Sequence, residues 1–229
     1  MANHIKEEIA ARSSHVLQKL RADSRLSQYI PTDQIPDVFT ETDDVRDIRL
    51  IVIGQDPTVK SEASRSTINT VLNLDKHQGC LYGYLSHICN NLGLDLKENV
   101  YATNFAKNFF KQPPTLIKER DLLKETSPYW LPLLHKELWY FPGRLIVTLG
   151  QPLLKVLLLD PTKALVRVYW GYYPDWIRAK LVFSSVPAQE NKLDRELFPL
   201  PHQPSSGKKF YRANLQAYLN YVKRNMART

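Results

Sequence analysis

Three side chains in this sequence combine chemical type and setting in a way that could read or cleave a bond to a heterocycle. Asp56 lies in Gly54-Gln55-Asp56-Pro57, directly after the run Ile48-Arg49-Leu50-Ile51-Val52-Ile53. Gly54 permits a tight turn there, and Pro57 stiffens the backbone that carries the carboxylate. Asn104 follows Val100-Tyr101-Ala102-Thr103, and its amide offers a donor and an acceptor to the edge of a ring. His202 stands between Pro201 and Gln203-Pro204, a stiff frame for an imidazole. A carboxylate, an amide and an imidazole at three strand ends suit hydrolysis of a bond to a nucleobase. Taken singly, each has a plainer role: Asp and Asn after strands commonly cap the next turn, and a histidine between prolines is commonly a surface loop residue. Their joint occurrence in this order favours chemistry.

The elements that must position these residues are readable from hydrophobic spacing. Residues 3–21 read as a helix with Ile5, Ile9, Val16, Leu17 and Leu20 near one face. The run at 48–53, rich in β-branched residues and stopped by Gly54, reads as a strand buried on both faces. A helix is expected over 80–92, ended by Gly93, then a strand over 100–103 and a loop holding Pro113-Pro114. Helical stretches follow near 115–125 and 129–141. Leu145–Leu149 is a strand closed by Gly150, with a helix from Pro152 to Leu159. Two more strands are expected at 165–169 and 181–186. A proline-rich loop then precedes a C-terminal helix from about Lys208, whose buried face would carry Tyr211, Leu215, Tyr218, Leu219 and Val222. Strands alternating with helices make the expected fold class α/β: one domain over 1–229, a three-layer α/β/α sandwich around a mainly parallel sheet of about four strands. In such a sheet the chemistry sits beyond the C-terminal strand ends. That rule selects Gly54–Thr58, Asn104–Lys107, Gly150-Gln151 and the loop around His202.

These motifs carry a resemblance. Ile53-Gly54-Gln55-Asp56-Pro57 resembles the first motif of the uracil-DNA glycosylase superfamily, a strand ending in Gly-Gln-Asp-Pro. Val100–Asn104 is similar to that family's second strand, Leu145–Gly150 to its next core strand, and Pro201-His202-Gln203-Pro204-Ser205 to its His-Pro-Ser motif. The likeness spans roughly residues 48–215 by motif order, and the first motif is the most specific. The resemblance implies that Asp56 orients or activates the attacking water and stabilises an oxocarbenium-like sugar. It implies that His202 stabilises negative charge on the departing pyrimidine, and that Asn104 bonds the base's Watson–Crick edge. Gln55, Thr58 and Leu72 would complete the base pocket. Pro57, Ser205, Ser206, Lys208 and Lys209 would grip DNA. The base must leave the helical stack first. No metal or organic cofactor is implied, and Cys80 and Cys89 cannot supply the four thiolates of an iron–sulfur cluster.

The chain also departs from that pattern. In the best-known branch a tyrosine follows Gly-Gln-Asp-Pro and blocks the C5 side of the pyrimidine; Thr58 stands there instead. A stacking phenylalanine is replaced by Leu72, which forgoes a platform worth about 1–3 kcal/mol. Gln203 interrupts the His motif, and the leucine wedge expected after it gives way to Ser206-Gly207-Lys208-Lys209-Phe210-Tyr211. The machinery is kept and the specificity pocket altered. A pyrimidine substituted on C5, such as a glucosylated hydroxymethylcytosine of phage DNA, is the expected substrate, with uracil repair as its competitor.

Composition sets the outer bounds. The 229 residues carry 31 Lys and Arg against 23 Asp and Glu, a net charge of +8 that favours a polyanionic partner, DNA first. No apolar run reaches the roughly eighteen residues of a membrane helix, and the first residues lack the apolar core of a secretory signal. A cytoplasmic, metal-free monomer is expected, with no membrane association. A catalytically silent DNA-binding module is the competing class. A phosphate-binding α/β protein ranks last, because Gln55-Asp56-Pro57-Thr58 is not glycine-rich and its carboxylate would repel phosphate.

Overall fold

The computed structural model describes residues 2–172 and 181–226. Four strands, β1 (Leu50–Gly54), β2 (Val100–Asn104), β3 (Leu145–Leu149) and β4 (Leu197–Leu200), form an all-parallel sheet in the order β2-β1-β3-β4. Every residue of every strand is buried, as a sheet covered on both faces requires. The helices are α1 (Ala2–Ala22), α2 (Cys80–Leu92), α3 (Leu122–Trp139), α4 (Gln151–Leu157), α5 (Val166–Tyr169), α6 (Gln203–Ser206) and α7 (Lys209–Met226). They pack in two groups, α1 with α3 and α3 with α4, and α2 with α6 and α7. One buried apolar cluster runs from Ile5 to Val222. The α/β class with its parallel four-stranded sheet and flanking helices is as the sequence predicts. Among the described residues no helix is long and apolar enough to cross a membrane.

The strand order has a functional consequence. The chain leaves β1 to one side to make β2, then returns past β1 to make β3 on the other. The connections therefore diverge between β1 and β3, opening a crevice beyond their C-terminal ends where ligands of such sheets bind.

Several expected elements differ. Residues 165–169 form no strand; Val166–Tyr169 is a four-residue helix. Of 181–186, only Val186 pairs, in an isolated antiparallel bridge with Leu197. The sheet position is taken instead by β4, inside what reads as a proline-rich loop. Its Pro199 has no N–H to give, and proline is tolerated at a sheet edge. The Pro199 carbonyl accepts the Trp170 indole N–H at 2.8 Å, which closes that edge from outside. The helices expected near 115–125 and 129–141 are a short 3-10 turn at Pro114–Leu116 and one continuous 18-residue helix, α3. Pro128 lies inside α3 and cannot donate to the Lys124 carbonyl one turn earlier. The Ser127 hydroxyl donates there instead, at 2.7 Å, while Trp130 and Leu134 bury the helix against the core. On α7, Tyr218, Leu219 and Val222 are buried as predicted, but Tyr211 and Leu215 only half so.

Candidate active site

A cavity of about 450 Å³ opens between the ends of β1, β3 and β4, lined among others by Gln55, Asp56, Thr58, Lys60, Leu72 and His202. The carboxylate and the imidazole singled out from sequence, 146 positions apart in the chain, thus share one chamber at the crevice between β1 and β3.

Asp56 is held by its own loop. Its Oδ1 accepts the Thr58 backbone N–H at 2.8 Å, and its Oδ2 accepts the Gln55 side-chain amide at 2.7 Å. Thr58 is fixed in turn, because its hydroxyl accepts the Phe110 N–H at 2.8 Å. Burial raises the Asp56 pKa above the usual carboxylate value, opposed by the bonds from Thr58 and Gln55 and by the nearby Arg65 charge. Arg65 is itself buried and spends its donors on the backbone carbonyls of Val59 and Lys111. Asp56 therefore has a cation nearby but no ion-pair partner among the described residues.

His202 stands at the cavity wall, its side chain exposed. Gly150 brings the end of β3 beneath it: at φ +90° a Cβ there would be strained and would lie 3.3 Å from the His202 Cβ. The Tyr84 hydroxyl donates to the Pro201 carbonyl at 3.2 Å, and the His202 carbonyl accepts the N–H groups of Ser205 and Ser206 at 2.7 and 3.1 Å. Partial desolvation lowers the imidazole pKa below its usual value, which favours the neutral ring.

Asn104 is placed differently. It is only 1% exposed, and neither amide atom has a partner among the described residues. Gly54 pairs with it across the sheet and makes room for it: a Cβ on Gly54 would lie 2.3 Å from Asn104 Oδ1 and 2.8 Å from Leu72 Cδ2. The amide and the leucine thus crowd one small space, with Leu72 on the cavity side. Leu72 and Asn73 both adopt left-handed backbone, at φ 58° and 57°, which is uncommon outside glycine. The Watson–Crick reader implied by the resemblance is close to the cavity but not among its walls.

The DNA-contact residues named from sequence divide. Lys208 and Lys209 are exposed, Ser205 and Ser206 half-buried, and the Ser206 hydroxyl donates to the Gln203 carbonyl at 2.6 Å. Pro57 is buried, so it stiffens the Asp56 loop rather than touching a partner.

Sequence reasoning missed Lys60, an exposed cation on the cavity wall, although it follows Asp56 in the same loop. It also missed Pro113 and Thr115, which close the far wall. Behind Asn104 lies an unforeseen buried ion pair. Lys107 Nζ meets Glu137 Oε2 at 2.7 Å, with exposures of 2% and 0%. It also donates to the Thr103 hydroxyl and the Asn104 carbonyl, while Glu137 accepts from Tyr101 and Thr103. Among the described residues no three His, Cys, Asp or Glu side chains converge as a metal site would need.

No protein-family model matches the chain, and no curated protein matches it.

Proposed function

We propose that this chain is a monofunctional DNA glycosylase that hydrolyses the N-glycosidic bond of a flipped-out, non-standard pyrimidine and leaves an abasic site. The observation that carries the reading is the shared chamber: Asp56, which forms no ion pair among the described residues, and His202 line one cavity at the crevice between β1 and β3. In the reaction, a water oxygen bonds to C1′ of the deoxyribose as the C1′–N bond breaks. The bonding electron pair leaves with the base, and the water's proton passes toward Asp56. Gln55 and Thr58 aim the carboxylate, whose charge stabilises the positive sugar as the bond breaks. His202 stabilises the negative charge that builds on the departing ring.

The favoured substrate is a pyrimidine carrying a substituent on C5, such as the glucosylated hydroxymethylcytosine of phage DNA, with a role in antiviral defence. Thr58 supports this choice. Its hydroxyl points to the Phe110 backbone and no aromatic ring stands at that position, so the wall beside the base is low. The experiment incubates the protein with DNAs carrying uracil, 5-hydroxymethylcytosine and its glucosylated forms, and reads abasic sites by alkaline cleavage. Cleavage of a 5-modified DNA that disappears in Asp56→Asn is the expected result. Cleavage of uracil DNA alone would assign the protein to uracil repair. Binding without cleavage of any DNA would make it a silent module.

A further inference from the structure

We infer that a second pocket beside the Asp56 cavity takes the nucleotide next to the extruded one, with its base unpaired, so that the protein engages single-stranded or locally opened DNA. This rests on the glycosylase reading. The pocket has a volume of about 380 Å³ and is walled by Gln151, Arg167, Tyr172, Lys208, Phe210 and Tyr211. It lies one residue along the chain from the cavity wall, because Gly150 lines the cavity and Gln151 the pocket. Lys208 reaches it from the turn that follows the His202 segment.

Its chemistry is that of a nucleotide. The Tyr172 and Phe210 rings meet edge to face at 5.0 Å, and Tyr211 packs against Phe210 and Trp170 in the same manner at 5.3 and 5.1 Å. The Arg167 guanidinium stands 5.0 Å from the centre of the Tyr172 ring. Neither Arg167 nor Lys208 forms an ion pair among the described residues, whereas Lys155 and Lys163 are each held by a carboxylate. Rings accept the face of any base, and unpaired cations at their border accept the phosphate that follows it. A groove that borders both the cavity and this pocket, through Gln151, differs. It shares Thr115 and Pro152 with the cavity but holds no aromatic ring, and its Arg120 and Lys155 are bonded to Glu125 and Asp121. Of the two, the pocket walled by Phe210 and Tyr172 is the one that offers stacking among the described residues. A base can enter it only after leaving its own partner strand, hence the single-stranded preference.

Fluorescence anisotropy tests this with a labelled oligothymidylate of roughly ten nucleotides, within the range such sites cover, and with a duplex of the same length. The single strand is expected to bind more tightly. Phe210→Ala should weaken single-strand binding roughly 5- to 100-fold and leave duplex binding nearly unchanged. Lys208→Ala and Arg167→Ala should each reduce the slope of log affinity against log salt by about one. Lys208 is exposed, so its replacement tests the pocket even where Phe210→Ala unfolds the protein. Equal wild-type affinity for both DNAs, or salt slopes unchanged in both charge variants, overturns the inference. Abasic-site formation is read in parallel. Cleavage with these variants binding as wild type removes the pocket alone. Pocket-dependent binding with no cleavage of any DNA removes the glycosylase reading and leaves the pocket standing.

Discussion

Asp56 and the Lys107–Glu137 pair are two electrostatic arrangements in one fold, and they are built on opposite principles. Glu137 has a cation at 2.7 Å and accepts two further hydroxyl bonds, so its charge is fully answered from within. Among the described residues Asp56 is bonded by neutral donors alone, from Thr58 and the Gln55 amide, and it lines the open cavity. A charge matched on all sides stabilises a structure only while both partners remain. A charge left without a counter-ion costs stability but stays free to act on something that enters. The difference separates a framework from a working group without appeal to any motif.

The comparison can be broken most severely on the framework side. Lys107→Met leaves the Glu137 carboxylate buried without its cation, and removing one partner of such a pair typically costs about 3–5 kcal/mol. Thermal unfolding should show a midpoint lower by about 10 °C. A midpoint within a degree of wild type would mean the pair contributes nothing. Next in size is Asp56→Asn, expected to slow abasic-site formation by about 10²- to 10⁴-fold with DNA affinity retained, as single-turnover cleavage and anisotropy would report. The pH profile of the wild type sharpens the point. Because burial raises the Asp56 pKa, activity should fall on the acid side at a pH above the ordinary carboxylate range.

The smallest effect is the most diagnostic. The folded-state pKa of Asp56 lies above its unfolded value, so its contribution to stability is complete below the unfolded pKa and is lost as pH rises through the folded one. Asp56→Asn removes that penalty. The variant should melt slightly higher than wild type at pH 7, with the gap closing near pH 3. A variant less stable at neutral pH would place Asp56 with the framework residues instead.

Much of the site was legible because its signals are local. A β-branched run, a glycine and a proline within ten positions define the Asp56 loop, and the same logic places Asn104 and Gly150 at strand ends. What escaped depended on distant partners. Leu197–Leu200 contains Pro199 and is flanked by Pro201, so it reads as loop, yet as an edge strand it needs neighbours on only one side. Val166–Tyr169 has the composition of a strand, but with β4 at the edge it packs outside the sheet as a helix. Lys107 and Glu137 are 30 residues apart, and no spacing rule pairs them. Leu72 was expected in the base pocket in place of a stacking ring, and it lines the cavity. Its left-handed backbone and its crowding against the space of Asn104 carry no local sequence signal.

The unpartnered amide of Asn104 has one more consequence. An asparagine whose oxygen and nitrogen are pinned by neighbours presents a fixed pattern, but none of the described residues pins this one. Rotation by half a turn about its last torsion exchanges donor and acceptor at little cost. Buried behind the cavity wall, the amide therefore imposes no fixed donor–acceptor pattern of its own, and any selection among ring edges would fall to the residues that line the chamber.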